Sequence, residues 1–304
     1  MRVAVCVCTY QRNDQLRTLI ERLVAIQAGS ADHYKVGLVI VDDNKNGEAW
    51  KVVQDFEGVF PLGVHYRTAG FNNISICRNL ALEAGIAVGD VIAMTDDDCL
   101  PELDWIDELL VMKRSTGADV VSGALVHIVP DAAPAWMKQQ SIFDFAASPA
   151  EHGSPMTTAQ TNNCLMDGDW LKQHPSHRFD ETYGRIGGED MMFFRGAVRL
   201  GMRSFHSSTA RVTQLEPIDA LTLRSLTVRS HWLGNSEAVT NLGLGLASRR
   251  RLVARSGRRL GRAVARPFQR VAMGRPPHLR FCLVQCAGAL GILSGAVGFR
   301  ARHH

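Results

Sequence analysis

Apolar positions along the first 125 residues switch repeatedly between the two periods that distinguish strands from helices. Val3–Cys8 reads as a strand. Leu16, Leu19, Ile20, Leu23 and Val24 then follow the helical repeat, with Asn13 or Asp14 placed to cap it. Val36–Val41 is nearly all apolar, as expected of a strand covered on both faces. A helix through Val52, Val53 and Phe56 follows, then a strand at Val64–Tyr66 and a helix at Ile74–Ala87. A strand at Val91–Met94, a helix at Asp104–Ser115 and a strand at Val120–Val126 close the series. This β-α-β alternation predicts an α/β fold with a mostly parallel central sheet flanked by helices. Sheets of that kind bind ligands beyond the carboxyl ends of their strands.

The rhythm then breaks. Pro130, Pro134, Pro149 and Pro155 predict a loop over 128–160 with a short helix near Trp136–Phe145. A structured section is expected from Thr161 to Val212, and a helix around Asp219–Leu233. Ser248–Arg280 is arginine-rich. Phe281–Phe299 is 19 residues without a formal charge, about 28 Å as a helix and so near the hydrocarbon thickness of a bilayer. Gln285, Ser294 and its glycines interrupt it, while Ala287, Gly291 and Gly295 share a face suited to close helix packing. The expectation is an interfacial or re-entrant anchor, with a true span and an ordinary core helix as the other readings.

Composition refines this picture. With 46% hydrophobic and 21% charged residues in 304, the chain can bury a sizeable core, and wholesale disorder is excluded. The net charge of +4 conceals a body, residues 1–237, at −9 and a tail, 238–304, with 13 arginines and no acid. Eleven arginines between 249 and 280 suit anionic lipid headgroups, so an anionic membrane surface is the expected partner of the tail. Nucleic acid is not expected, because no aromatic-interleaved motif accompanies the arginines. Seven scattered cysteines, with no second pair to join Cys6 and Cys8 in a zinc site, read as free thiols in a reducing, cytoplasmic setting. The opening apolar run is six residues long, so no secretory leader is expected.

Candidate chemistry lies where the strands end: Thr9-Tyr10-Gln11-Arg12, Asp42-Asp43-Asn44 and Thr95-Asp96-Asp97-Asp98 converge on one acidic crevice. Three adjacent carboxylates repel, and a divalent cation bridging carboxylates and a diphosphate would relieve them. Mg²⁺ or Mn²⁺ suits oxygen ligands. Strand alternation assigns the metal to Asp98, the ribose or metal shell to Asp96, and turns Asp97 away. A helix N-cap cluster ahead of Asp104 is the weaker alternative. Asp42-Asp43 reads either as an acidic turn or as a nucleobase contact. Arg78 near the start of a helix suits phosphate if that helix abuts the crevice, and is otherwise an ordinary surface arginine. Gly187-Gly188-Glu189-Asp190 reads equally as a site and as helix capping.

Together these segments resemble the family-two inverting glycosyltransferases of the GT-A fold, over about residues 3–235. Val7-Cys8-Thr9-Tyr10-Gln11-Arg12 resembles the nucleoside-contacting turn, with Cys8 where a proline is common. Val41-Asp42-Asp43-Asn44 is similar to the uracil-contacting turn, with Asp43 the better match, and Cys77-Arg78-Asn79 to the Ala-Arg-Asn segment. Thr95–Pro101 resembles the metal-binding Asp-x-Asp region. Phe179-Asp180-Glu181 followed by Gly187–Asp190 resembles the acceptor motif, with Asp190 as general base beside Gly188 and Glu189. Gln214 stands where many relatives carry a histidine, and Arg229–Trp232 lacks the motif of processive synthases, which implies single-sugar transfer. Bacterial exopolysaccharide enzymes of the succinoglycan type are the nearest resemblance.

The resemblance implies a UDP-sugar donor, a glycan or lipid-linked acceptor, and a place at the cytoplasmic face of the plasma membrane. Residues 1–247 are then the transferase domain, with the donor half at 1–127 and the acceptor half at 128–247, and 248–304 is a membrane-associating tail. A nucleotidyltransferase would need a glycine-rich loop after the first strand, which Thr9–Arg12 lacks. A non-catalytic nucleotide-sugar-binding protein could dispense with Asp190.

Overall fold

β1 (Arg2–Thr9) is apolar throughout because both its faces are covered: Val3, Val5 and Val7 enter one buried layer, and Ala4 and Cys6 the other. It lies in the first of two units that the computed structural model, which describes residues 1–29, 33–140 and 150–301, comprises. That unit is Met1–Ile128, Pro149–Gly184 and Glu189–Leu215; the second is Val129–Ser148, Arg185–Gly188 and Glu216–His304.

In the first unit, α1 (Asn13–Gly29), β2 (Lys35–Asp42), α2 (Trp50–Val53), β3 (Val64–Thr68), α3 (Ile74–Val88) and β4 (Val91–Asp96) follow β1 in the expected alternation. β5 (Cys99–Pro101), α4 (Trp105–Thr116) and β6 (Val120–Ile128) come next. The strands run β3-β2-β1-β4 in parallel. β8 (Asn163–Asp167) then inserts antiparallel between β4 and β6, followed by β9 (Ser204–Leu215) parallel to β6. β5 and the two-residue β7 (Pro155–Met156) pair antiparallel with β9. The sheet is therefore parallel through β3-β2-β1-β4 and mixed beyond β4. Helix α1 starts at Asn13, and the Arg12 carbonyl already accepts the Leu16 N–H at 2.9 Å. Asn13 and Asp14 thus occupy the first turn and not the cap.

α1, α2 and α4 cover one face of the sheet. α3, α6 (Gly168–Gln173) and α7 (Glu189–Arg199) cover the other. At the junction of β6 and β9 the register slips between Gly123 and Ala124, which leaves carbonyls without ladder partners. The buried side chain of Asn163 meets them: its Nδ2 donates to the carbonyls of Ala124 and Ala210, both at 2.9 Å, and its Oδ1 accepts Trp105 Nε1–H at 2.8 Å. A Cβ on Gly123 would lie 2.3 Å from that Oδ1, so only glycine fits.

The second unit contains α5 (Ala135–Gln140), α8 (Leu223–Gly243), α9 (Arg249–Ala272) and α10 (Leu279–Ala296). Residues 141–145 of the helix expected near Trp136 lie outside the described residues. The small-residue face of α10 is used against α8: a Cβ on Gly291 would sit 2.0 Å from the His231 carbonyl, and one on Gly234 2.1 Å from that of Gly288. Ser248 caps α9 by accepting the Arg251 N–H.

Asn163→Ala should leave one buried donor and two carbonyls unpaired, lowering stability by about 3 kcal/mol or more. Urea denaturation followed by tryptophan fluorescence measures it.

Candidate active site

Three parallel strands end side by side, with Thr9 level with Asp42 and Cys8 level with Asp96. Past β4 the chain turns at Asp97 and Asp98 before β5. Asp97 is buried: its Oδ2 accepts Thr9 Oγ1–H at 2.8 Å and its Oδ1 accepts Arg12 Nη1–H at 2.9 Å. The same Nη1 reaches Asp98 Oδ2 at 2.9 Å. Asp97 therefore does turn from Asp96, and it ties the triplet to the loop after β1. Burial raises its carboxyl, and Arg12 opposes that.

Asp96 faces the layer of α3. Arg78 sits on the buried stripe of that helix with Ala81, Leu82 and Gly85. Its Nη2 lies 3.7 Å from Asp96 Oδ1, and its Nη1 donates to Glu189 Oε1. Burial pushes the Asp96 carboxyl up to about 6; Arg78 opposes this, and Asp98 and Asp97 add to it. The guanidinium of Arg78 is held charged by Glu189, Asp96 and Asp190 against its own burial. Arg78 is thus no surface arginine, and its helix abuts the crevice.

Asp190 is the second residue of α7 and its Oδ1 accepts the Met191 N–H at 2.6 Å. Burial, reinforced by Glu189 and opposed by Arg78, pushes its carboxyl up to about 6. The start of α3 is fastened to the chain leading there. Asn79 exchanges two hydrogen bonds with the Phe179 backbone, Ser75 Oγ donates to the Asp180 carbonyl, and Asn73 Nδ2 to that of Glu181.

The two acids after β2 divide their work. Asp42 is 1% exposed and holds its own turn, accepting the N–H groups of Asn44 and Ala49 and the Tyr66 hydroxyl. Asp43 accepts the backbone N–H groups of Phe71, Asn72 and Asn73. Tyr10 and Phe71 are exposed on the loops after β1 and β3. Gly187 and Gly188, with φ of 81° and 88°, belong to the second unit, where a Cβ on Gly187 would strike Trp232 and one on Gly188 would meet Thr240 Oγ1. Close packing on α8 accounts for both glycines.

Asp96, Asp98 and Cys99 offer ligand atoms all within 4.8 Å of one another. The carboxylates fit a hard divalent cation, and their crowding leaves negative charge for it to neutralise. Cys99 is a softer donor whose thiol burial pushes up. Gln214 pairs opposite Cys99 on one side and His127 on the other. Sequence reasoning missed Cys99, the Asn79 clamp and the Glu189–Arg78 pair. An arginine on an otherwise apolar helical stripe was the available signal for the last.

Because the Asp190 carboxyl ionises less readily in the folded protein than in the unfolded chain, its protonated form stabilises the fold at low pH. That contribution is lost as pH rises to about 6. Asp190→Asn cannot ionise, so its Tm should rise relative to the parent between about pH 4 and pH 7. Parallel thermal melts across that range check the sign.

Known proteins share this fold. The profile described as Glycosyl transferase family 2 matches residues 4–205. Succinoglycan biosynthesis protein ExoM of Rhizobium meliloti is 30% identical over 197 residues, 64% of this chain and 61% of that protein's length. The glucosyl-dolichyl phosphate glucuronosyltransferase of Haloferax volcanii is 26% identical over 254 residues, 80% of this chain and 78% of that one. Among solved structures, S. aureus TarS 1-349 aligns with a TM-score of 0.56 at 14% identity, covering 98% of this chain and 90% of that one. Its complex with UDP-GlcNAc aligns at 0.55 with 13% identity, covering 98% and 92%. The GT-A arrangement expected from sequence is the observed one.

Proposed function

The chain belongs to glycosyl transferase family 2, and on that premise we propose that it transfers one sugar from a UDP-sugar to a hydroxyl of a glycan or lipid-linked acceptor, inverting the anomeric centre. The work lies in cell-surface polysaccharide or glycolipid biosynthesis, with the tail held at an anionic membrane on the cytoplasmic side. The observation that carries the reading is the placing of Asp190: one buried guanidinium, Arg78, joins the pair Glu189-Asp190 to the aspartate cluster at Asp96. A proton acceptor and a diphosphate-type anchor thereby share a counter-ion. The UDP and UDP-GlcNAc complexes of TarS support the donor class. The names of the relatives, one in succinoglycan biosynthesis and one acting on a dolichyl phosphate, support the acceptor class.

In this mechanism Tyr10 offers a ring to the nucleobase, Asp43 meets its polar edge, and Thr9 and Arg12 hold the triplet that faces the ribose and diphosphate. Asp98 and Asp96 are the residues for Mg²⁺ or Mn²⁺, which when bound supplies positive charge to the leaving diphosphate. Arg78 fixes Asp96 and Glu189 in place. Asp190, with Oδ1 engaged by the Met191 amide, turns Oδ2 to the acceptor hydroxyl and takes its proton as that oxygen attacks in line. Gly188 and Glu189, which precede it in the chain, border the acceptor.

Hydrolysis of a panel of nucleotide-sugars in Mn²⁺ should single out a UDP-sugar; no turnover of any, with or without acceptors, would remove the assignment. Asp190→Asn should cut transfer by roughly 10²–10⁴-fold with donor affinity nearly unchanged. The parent rate should fall as pH drops through about 6, where Asp190 takes up its proton; a flat profile there excludes it as the base. Asp98→Ala should abolish the Mn²⁺-dependent part of donor affinity, measured by calorimetry with UDP.

A further inference from the structure

We propose that α9 and α10 form an in-plane docking face for an anionic lipid bilayer, inserted through the exposed stripe of α9, with α10 held on α8 and not crossing the membrane. The proposal rests on the reading of the tail as the membrane-facing part and specifies the side chains and geometry of that contact.

Helix α9 carries three stripes. Leu252, Ser256, Ala263 and Pro267 are buried. Val253, Val264, Phe268 and Val271 follow at helical spacing along the adjacent side and are exposed, Phe268 at 73% and Val271 at 60%. Arg251, Arg255, Arg258 and Arg262 recur at steps of four and three on the side opposite that stripe. An apolar stripe backed by arginines is the pattern of a helix lying at the boundary between headgroups and acyl chains, where the long cationic side chains reach back to phosphate.

The partner helix extends the face. Ser256 Oγ donates to the Ala289 carbonyl, and the Arg266 guanidinium lies 4.8 Å from the Phe281 ring. The two helices therefore run antiparallel. The exposed residues Leu283, Leu290 and Val297 of α10 and the segment after it recur every seven positions. Where α9 begins and α10 ends, Val253, Ala254, Ala296 and Val297, with Arg249 and Arg250, line an open groove of about 490 Å³. Val253 of one apolar line and Val297 of the other meet in that groove. Exposed apolar surface of this extent marks an interaction site.

Length and composition alone would let α10 cross a bilayer. Its glycines, however, are pressed on α8, and α8 is polar there: Asn235 Nδ2 donates to Ser294 Oγ at 2.9 Å and to the Phe299 carbonyl at 3.0 Å. Crossing would strip those contacts. Charge selects the occupant. Residues 238–304 contain no acid, and among the described residues Glu237 pairs with Arg255 and Arg259. A second copy would bring the same excess of arginines to the same face, and a nucleic acid would leave the aliphatic line of Val253, Val264 and Val271 without an apolar partner. Anionic lipid satisfies both stripes.

The test is co-sedimentation of the full chain with vesicles of phosphatidylcholine alone or mixed with phosphatidylglycerol. Binding should require the anionic lipid and be reversed by raised salt. Phe268→Glu should lower it roughly tenfold or more and Phe268→Leu should preserve it, with Tm and UDP binding unchanged in both. Salt-resistant retention indifferent to Phe268→Glu means a spanning α10, which overturns the in-plane face while leaving the membrane reading intact. No binding to either vesicle removes both. Loss of a parental dimer in Phe268→Glu, without lipid binding, makes the face an interface between copies.

Discussion

Arg78 is a cation enclosed by the apolar stripe of its own helix, and a guanidinium so placed is costly unless carboxylates meet it. Glu189 meets it from α7 and Asp96 from the end of β4. That requirement fixes three elements of the first unit against one another, because losing any partner leaves an uncompensated charge behind. Arg12, half exposed, meets the triplet from the other side, with one nitrogen bridging Asp97 and Asp98. Four carboxylates are thus held by two arginines. Asp190 lies beside the first pair, and burial, reinforced by Glu189 against the opposing pull of Arg78, raises its carboxyl.

Apart from the three-residue β5, the strands and helices of residues 1–128 were legible because both layers impose clear periods, and their positions differ from expectation by a residue or two at most ends. The mixed half of the sheet was not. β8 is five residues long and lies between β4 and β6 in space though it follows both in sequence, an arrangement that no local period encodes. The site was legible as a set of strand ends, and not as a network. That Asp42 holds its turn while Asp43 gathers the amides of 71–73 depends on how β2 and β3 pair. Adjacent identical residues carry no such distinction in sequence. For Gly188 the sequence reads equally as a site and as helix capping, and what the local period cannot show is its packing: a Cβ there would meet Thr240 of α8.

The tail was read from composition, and its helices add what composition lacks. Arginine content is the same whichever way a helix turns, but the burial of Leu252, Ser256, Ala263 and Pro267 fixes the rotation of α9 and so determines which residues are left outside. The same applies to α10. Its small residues suit close packing in lipid or in protein equally, and the carbonyls of His231 and Asn235 next to Gly291 and Gly295 show that the packing is with α8.

Body and tail therefore carry opposite unsolved charge, and each is resolved by a different partner. Acids in the first unit are gathered at the carboxyl ends of neighbouring strands, where two arginines cannot match them all, so the remaining negative charge suits a small, hard cation at Asp96 and Asp98. Arginines in the tail are spread along one side of a 24-residue helix, too extended for any point charge to match. An anion distributed over a surface complements them. Compact acid clusters suit small hard cations, and extended basic stripes suit sheets of negative charge. The geometry of each excess, more than its size, determines what it binds.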